Sequence, residues 1–172
     1  TSRIFVTGSG TTAMHIALTA LLDEGDEVVA LTPIWKNLLG AVEMAQARTK
    51  EVPLTEEDGK WRLDMDRLIG ACTSQTRALL ITTPSNPTGW VMNHDEMKAI
   101  LEFARAQNIW IISDEVYGRI TYDEAYAPSF LDVAEEDDLL LVINSFSKSW
   151  AMTGWRLGWL IGPAQIEKAV QD

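Results

Sequence analysis

Leu139-Leu140-Leu141-Val142-Ile143 is an unbroken apolar run, followed at once by Asn144-Ser145-Phe146-Ser147-Lys148. A strand with one wet face alternates apolar and polar residues, so an uninterrupted run of this kind marks a strand covered on both faces. Ile109-Trp110-Ile111-Ile112 has the same character. Working outward from these two, Ile4 to Thr7, Glu27 to Leu31, Thr49 to Pro53, Ala78 to Thr82 and Gly158 to Gly162 also read as strands. Helix-period stretches separate them. Met14, Ala17, Leu18, Leu21 and Leu22 line one helical face, which Gly25 can end, and a second helical stretch runs from about Asn37 to Ala47. Met65, Leu68, Ile69 and Cys72 mark a third face, making Cys72 a core residue. Asn93 and Glu96 form a capping-box pattern ahead of the stripe Met97, Ile100, Leu101 and Ala104, and Pro163 stands where a final helix can start. Thr55 to Lys60 reads as a charged loop. Alternating strands and helices of this kind predict an α/β fold around a mostly parallel sheet.

The bulk properties narrow the function. A chain of 172 residues with 47% apolar and 23% charged residues can bury a real core, which excludes a disordered protein. No apolar run approaches the roughly 18 residues of a membrane span. The net charge of −11 argues against nucleic acid or an anionic membrane as partner, since both need a basic face. A bound anion must therefore be held by local donors. The single cysteine, Cys72, allows neither an internal disulfide nor a metal cluster, so no metal is expected. With no signal-like N-terminus, that points to the cytoplasm. Because the chain starts at Thr1 and runs straight into an apolar strand, a segment of a longer protein is expected.

In parallel α/β sheets, ligands collect beyond the carboxyl ends of the strands, so the residues just after each strand matter most. After the first comes Gly8-Ser9-Gly10-Thr11-Thr12-Ala13, whose hydroxyls and free amides would sit at a helix N-terminus and form a phosphate cradle. The same stretch fits G-x-G-x-x-A of dinucleotide sites, but the second strand runs into Thr32-Pro33-Ile34-Trp35 rather than an acidic residue for a ribose. A plain turn with a Ser/Thr cap fits equally. Beyond the fourth strand, Thr83-Pro84-Ser85-Asn86-Pro87-Thr88-Gly89 presents the Asn86 amide or is simply a turn. The fifth strand delivers Asp114, Glu115, Val116 and Tyr117, where Asp114 is either a ligand carboxylate or a structural cap. The sixth delivers Ser145 and Lys148, with Arg156 eight residues further on. A lysine directly after a buried strand cannot easily reach water. Ser145 to Lys148 also matches S-x-x-K of serine acyl-transfer enzymes, but the K-T-G element those enzymes require is missing.

Taken together, Ser145-Phe146-Ser147-Lys148 with Arg156, Asn86-Pro87-Thr88-Gly89 and Ser113-Asp114-Glu115-Val116-Tyr117 resemble the large domain of fold-type I pyridoxal 5'-phosphate enzymes, the class I/II aminotransferases. The resemblance spans Ile4 to Pro163. It implies a three-layer α/β/α domain over residues 1–172 with a seven-stranded mixed sheet, in which Gly158 to Gly162 is the antiparallel strand. It implies that Lys148 forms a Schiff base with the cofactor and then shuttles a proton, as a buried amine of lowered pKa can. Asp114 would pair with the pyridine nitrogen, Asn86 and Tyr117 would bond the ring oxygen, and Trp35, which otherwise reads as core, would stack on the ring. Ser9, Gly10, Thr11, Ser145 and Arg156 would hold the phosphate, Arg156 through a charge-assisted pair. Lys148, Asp114 and Tyr117 are thus the expected catalytic residues.

The implied activity is transfer of an amino group from an amino acid to a 2-oxo acid, by a homodimer. Ala151-Met152-Thr153-Gly154-Trp155-Arg156 with Trp35 leans toward the aspartate and aromatic aminotransferase group. The family's N-terminal segment and small domain are not seen, and the arginine that clamps the substrate carboxylate lies in the latter. Two rivals follow: a carbon-sulfur β-lyase on the same core, and a cofactor-binding fragment without turnover.

Overall fold

Seven strands join in one sheet in the computed structural model, which describes residues 3–122 and 124–171. They are β1 (Ile4–Thr7), β2 (Glu27–Thr32), β3 (Arg48–Pro53), β6 (Thr76–Thr82), β7 (Trp110–Asp114), β8 (Leu140–Ser145) and β9 (Gly158–Ile161), in the order β1-β9-β8-β7-β6-β2-β3. Neighbours from β8 through β7, β6 and β2 to β3 run parallel, whereas β9 is antiparallel to both β1 and β8. That is the mixed seven-stranded sheet expected, with the antiparallel member where it was placed.

The helices are α1 (Gly10–Leu21), α2 (Lys36–Met44), α3 (Met65–Ala71), α4 (His94–Gln107) and α5 (Glu167–Gln171). Successive strand residues point to opposite faces, and two separate cores result. Ala78, Leu80, Trp110, Ile112, Leu141 and Ile143 pack with α1 and α2, while Leu79, Ile81, Ile111 and Val142 pack with α3 and α4. Because both faces are covered, the runs at 109–112 and 139–143 have no polar alternation. The Asn93–Glu96 capping box forms at the start of α4, and Asn108 closes that helix in the left-handed region at φ 56. Pro163 caps a short 3-10 turn, Ala164–Ile166, that leads into α5.

Three expectations are corrected. Thr55 to Lys60 is not a plain loop: β4 (Thr55–Glu57) and β5 (Lys60–Arg62) form a hairpin whose turn residues Asp58 and Gly59 both have positive φ, 52 and 74. Asp-Gly is the dipeptide such a two-residue turn favours, so the signal was present. Ile69 lies 39% exposed, because the seven-residue α3 turns only Leu68 and Ala71 fully inward. Cys72, at its C-cap, is half-buried at the edge of the second core rather than inside it.

Candidate active site

At the carboxyl ends of the parallel strands, on the α1–α2 face, lies a cavity of about 310 Å³. Its lining includes Ser9, Gly10, Thr11, Trp35, Asn86, Asp114, Tyr117, Ser145, Lys148 and Arg156, every site residue singled out in the sequence. The fold brings them together because each follows or ends a strand, or starts a helix, at the same edge.

One corner of the cavity is built by the start of α1. Ser9 caps it, its Oγ accepting the Thr12 amide at 3.0 Å and sharing a 2.9 Å hydrogen bond with the Thr12 hydroxyl. The Ser9 cap thus forms, and the first-turn amides of Gly10 and Thr11 have no intrahelical acceptors. A Cβ on Gly10 would stand 3.3 Å from the Ser145 Cβ and narrow this corner. A Cβ on Gly158 would stand 2.4 Å from the Gly10 amide nitrogen, so only glycine lets the helix start press so closely on β9. Arg156 also lines the cavity. Its guanidinium donates to the Thr153 carbonyl at 3.0 Å and to the Ser147 Oγ at 3.4 Å, from a backbone in the left-handed region at φ 50.

Also in the lining, the Asn86 Nδ2 donates to the Tyr117 hydroxyl at 3.2 Å. Asp114, 8% exposed at the end of β7, accepts the Val116 amide on Oδ1 at 3.3 Å. Burial lifts its carboxyl to about 6, against the opposing pull of the Val116 amide and the Lys148 ammonium. It therefore remains mostly ionised at neutral pH. Lys148 Nζ lies 5.8 Å from the centroid of the Tyr117 ring, within cation–π reach.

Two expectations about environment are corrected. Lys148 is exposed rather than buried, because the chain leaves the sheet after Ser145 and turns along the open side of the cavity. Trp35 is 42% exposed at the N-cap of α2, so it lines the cavity mouth and is not core. Thr82, Leu38, Val116, Ser147 and Thr153 also line the cavity and were not singled out in the sequence. For Thr82 a signal existed, since it is the last residue of its strand and has the same side-chain parity as Ala78 and Leu80.

The family model described as aminotransferase class I and II matches residues 2–172. The chain belongs to the class I and II aminotransferases. An aspartate aminotransferase of Streptomyces avermitilis is 36% identical over 172 residues, 99% of this chain and 42% of that protein. The solved N-succinyldiaminopimelate aminotransferase of Mycobacterium tuberculosis superposes with a TM-score of 0.93 at 35% identity, covering 99% of this chain and 44% of that one. The aromatic aminotransferase of Pyrococcus horikoshii gives 0.89 at 36%, covering 98% and 45%. The chain thus spans less than half the length of these aminotransferases.

The cofactor of this family is pyridoxal 5'-phosphate, and the cavity's chemistry fits it. A phosphate needs amide and guanidinium donors, a pyridinium needs a buried anion, and a phenolate needs donors. The cavity sets Gly10 and Thr11 with Arg156, then Asp114, then Asn86 with Tyr117 around one space. The buried Thr82 Oγ1 has no hydrogen-bond partner. Among the described residues, no helix is long and apolar enough to cross a membrane, and no group of His, Cys, Asp and Glu is arranged to hold a metal ion.

Proposed function

We propose that this chain is the cofactor-binding large domain of a pyridoxal-phosphate-dependent aminotransferase that moves an amino group from an amino acid to a 2-oxo acid. The observation that carries the reading is the meeting of Lys148, Asp114 and the α1 N-terminus in one cavity. In that cavity the cofactor supplies an electron sink for the carbanion left when a substrate Cα loses its proton.

The chain's own residues then have separable tasks. Lys148 would hold the cofactor through Nζ and, as a free amine, would accept and return the substrate Cα proton; it lines the cavity and is exposed. Asp114, as a carboxylate, would favour a proton on the ring nitrogen, an effect of charge that burial strengthens. Asn86 and Tyr117 orient the ring by donating to its oxygen. Gly10, Thr11, Ser9, Ser145 and Arg156 anchor the phosphate, and Trp35 covers the ring face at the mouth. An acidic chain can hold an anion there because Arg156, Lys148 and a helix N-terminus concentrate positive potential at one edge.

Lys148 and Arg156 are the cations lining the cavity among the described residues. With Arg156 engaged by phosphate, the cation that pairs with a substrate carboxylate lies outside these residues. Aspartate and aromatic amino acids are the proposed donors, by likeness to the relatives. A homodimer is proposed because Val6 at 76% and Trp155 at 67% exposed leave apolar surface uncovered. A cytoplasmic setting is proposed from the unpaired Cys72.

The test compares the chain with its full-length parent, each loaded with cofactor and given aspartate or an aromatic amino acid. Transamination yields a 2-oxo acid with the pyridoxamine form in the parent, and little or none in the chain alone. Ammonia and pyruvate from a sulfur amino acid would instead favour the β-lyase. Cofactor binding with no turnover by the parent would leave the binding-fragment reading. Equal turnover by the chain alone would overturn the assignment of Arg156 to phosphate.

A further inference from the structure

We propose that Thr82 is a positioning residue for Asp114, its hydroxyl donating a hydrogen bond to the carboxylate at the floor of the cavity. The reading takes from the proposed function only the importance of Asp114; the coupling itself needs no cofactor.

Register and parity bring the two together. Thr82 and Asp114 are paired across the parallel β6–β7 ladder, on strands about 4.8 Å apart. Thr82 shares the side-chain parity of Ala78 and Leu80, and Asp114 that of Trp110 and Ile112, all of which pack on the α1–α2 face. Both residues are buried, at 5% and 8% exposed, and both line the cavity.

Each also lacks what the other offers. The Thr82 Oγ1 is out of reach of water and has no partner. The Asp114 carboxylate accepts the Val116 amide at 3.3 Å, although a carboxylate has room for about four donors. Asn86 and Tyr117, which line the cavity from the loops after these two strands, bond each other. The bond requires the Thr82 hydroxyl to take the staggered χ1 position that faces Asp114, one of the three open to a threonine.

The carboxylate's electrostatic neighbours do not replace this bond. Lys148 and Arg156 line the cavity from the loop after β8, and Tyr117 from the loop after β7. Glu115 has the opposite parity and bonds Ser113 and Phe130 on the far face. Of the cavity's cations, Lys148 acts on Asp114 through charge alone, and that pull is weaker than the burial it opposes.

The test is a carboxyl 13C NMR titration of Asp114 in the chain without cofactor, for the wild type, Thr82→Val, Thr82→Ala and Thr82→Ser. Loss of a hydrogen bond to a charged group should weaken Asp114 as an acid about tenfold in Val and Ala, while Ser stays within about twofold of wild type. Thermal melts identify any variant that fails to fold, and Ala serves if Val does not fold. A merely structural threonine would lower the melting temperature without moving the Asp114 midpoint, and that result overturns the proposal. So does Ser shifting as far as Val. Wild-type chain titrated with pyridoxal phosphate separates the two readings: no binding with a Val shift sinks the cofactor site alone, whereas binding with no shift sinks the Thr82 coupling alone.

Discussion

The Asn86 side chain donates to the Tyr117 hydroxyl at 3.2 Å, tying the loop after β6 to the loop after the neighbouring β7 in the lining of the cavity. Neither partner is fully buried, so the bond orients two donors rather than filling a core. Tyr117→Phe and Asn86→Ala should each weaken pyridoxal phosphate binding about tenfold in a spectrophotometric titration, the loss of one hydrogen bond to a charged group. Since the two side chains share a bond, the double variant should lose less than the product of the single losses. Strict additivity would mean that they act independently.

Lys148 should carry the cofactor. Borohydride reduction followed by peptide mapping is expected to place a pyridoxyl group on Lys148, and an adduct on Lys98 or Lys168 instead would reject the assignment. Lys148→Ala should abolish turnover in the full-length enzyme while retaining non-covalent binding. Lys148→Arg should not rescue, because a guanidinium does not give up its proton.

Gly158→Ala tests how α1 is seated. The added Cβ would fall 2.4 Å from the Gly10 nitrogen, so the helix start must move. Overpacking of this kind costs about 1–3 kcal/mol, and calorimetry should show the lowered melting temperature. Phosphate-dependent cofactor affinity should fall with it. Gly154→Ala, with nothing within 4 Å of its Cβ, is the matched control and should leave both nearly unchanged.

Glu115 gives the fold a pH dependence. It is 5% exposed and accepts the Ser113 hydroxyl at 3.1 Å and the Phe130 amide at 3.0 Å. Burial nevertheless outweighs these bonds and lifts its carboxyl from 4.5 to about 7. A carboxyl whose pKa is raised on folding contributes stability that is complete below its unfolded value and lost as pH climbs through the folded one. Denaturation in urea should therefore show stability falling between about pH 4.5 and 7, by about 3 kcal/mol at most from this group. Asp114 adds a smaller loss of the same sign between about 3.8 and 6. Glu115→Gln keeps an acceptor for Ser113 and Phe130 and should flatten the upper part of the slope, and an unchanged slope would count against Glu115.

Strand positions and the edge at which ligands collect were legible because they depend on local periodicity. Ile109 to Ile112 and Leu139 to Ile143 announce two-sided burial in any context, and Asn86, Asp114, Lys148 and Arg156 could be found by reading just past the strands. Thr82 was overlooked because it ends β6 as an ordinary strand residue, and its meaning comes from lying opposite Asp114 at the end of β7. The Thr55–Arg62 hairpin was missed because the charged composition around Asp58-Gly59 outweighed a turn signal that was there to be read.

By itself, the sequence determined which segments could be strands or helices, and which chemically able residues ended them, since backbone preference and apolar period act over a few residues. Only the tertiary structure decided what those residues meet. Strand order and register follow from burying two apolar faces at once, a condition on the whole chain. That condition presses Gly158 against Gly10, sets Thr82 beside Asp114, and leaves Lys148 at the open side of the cavity.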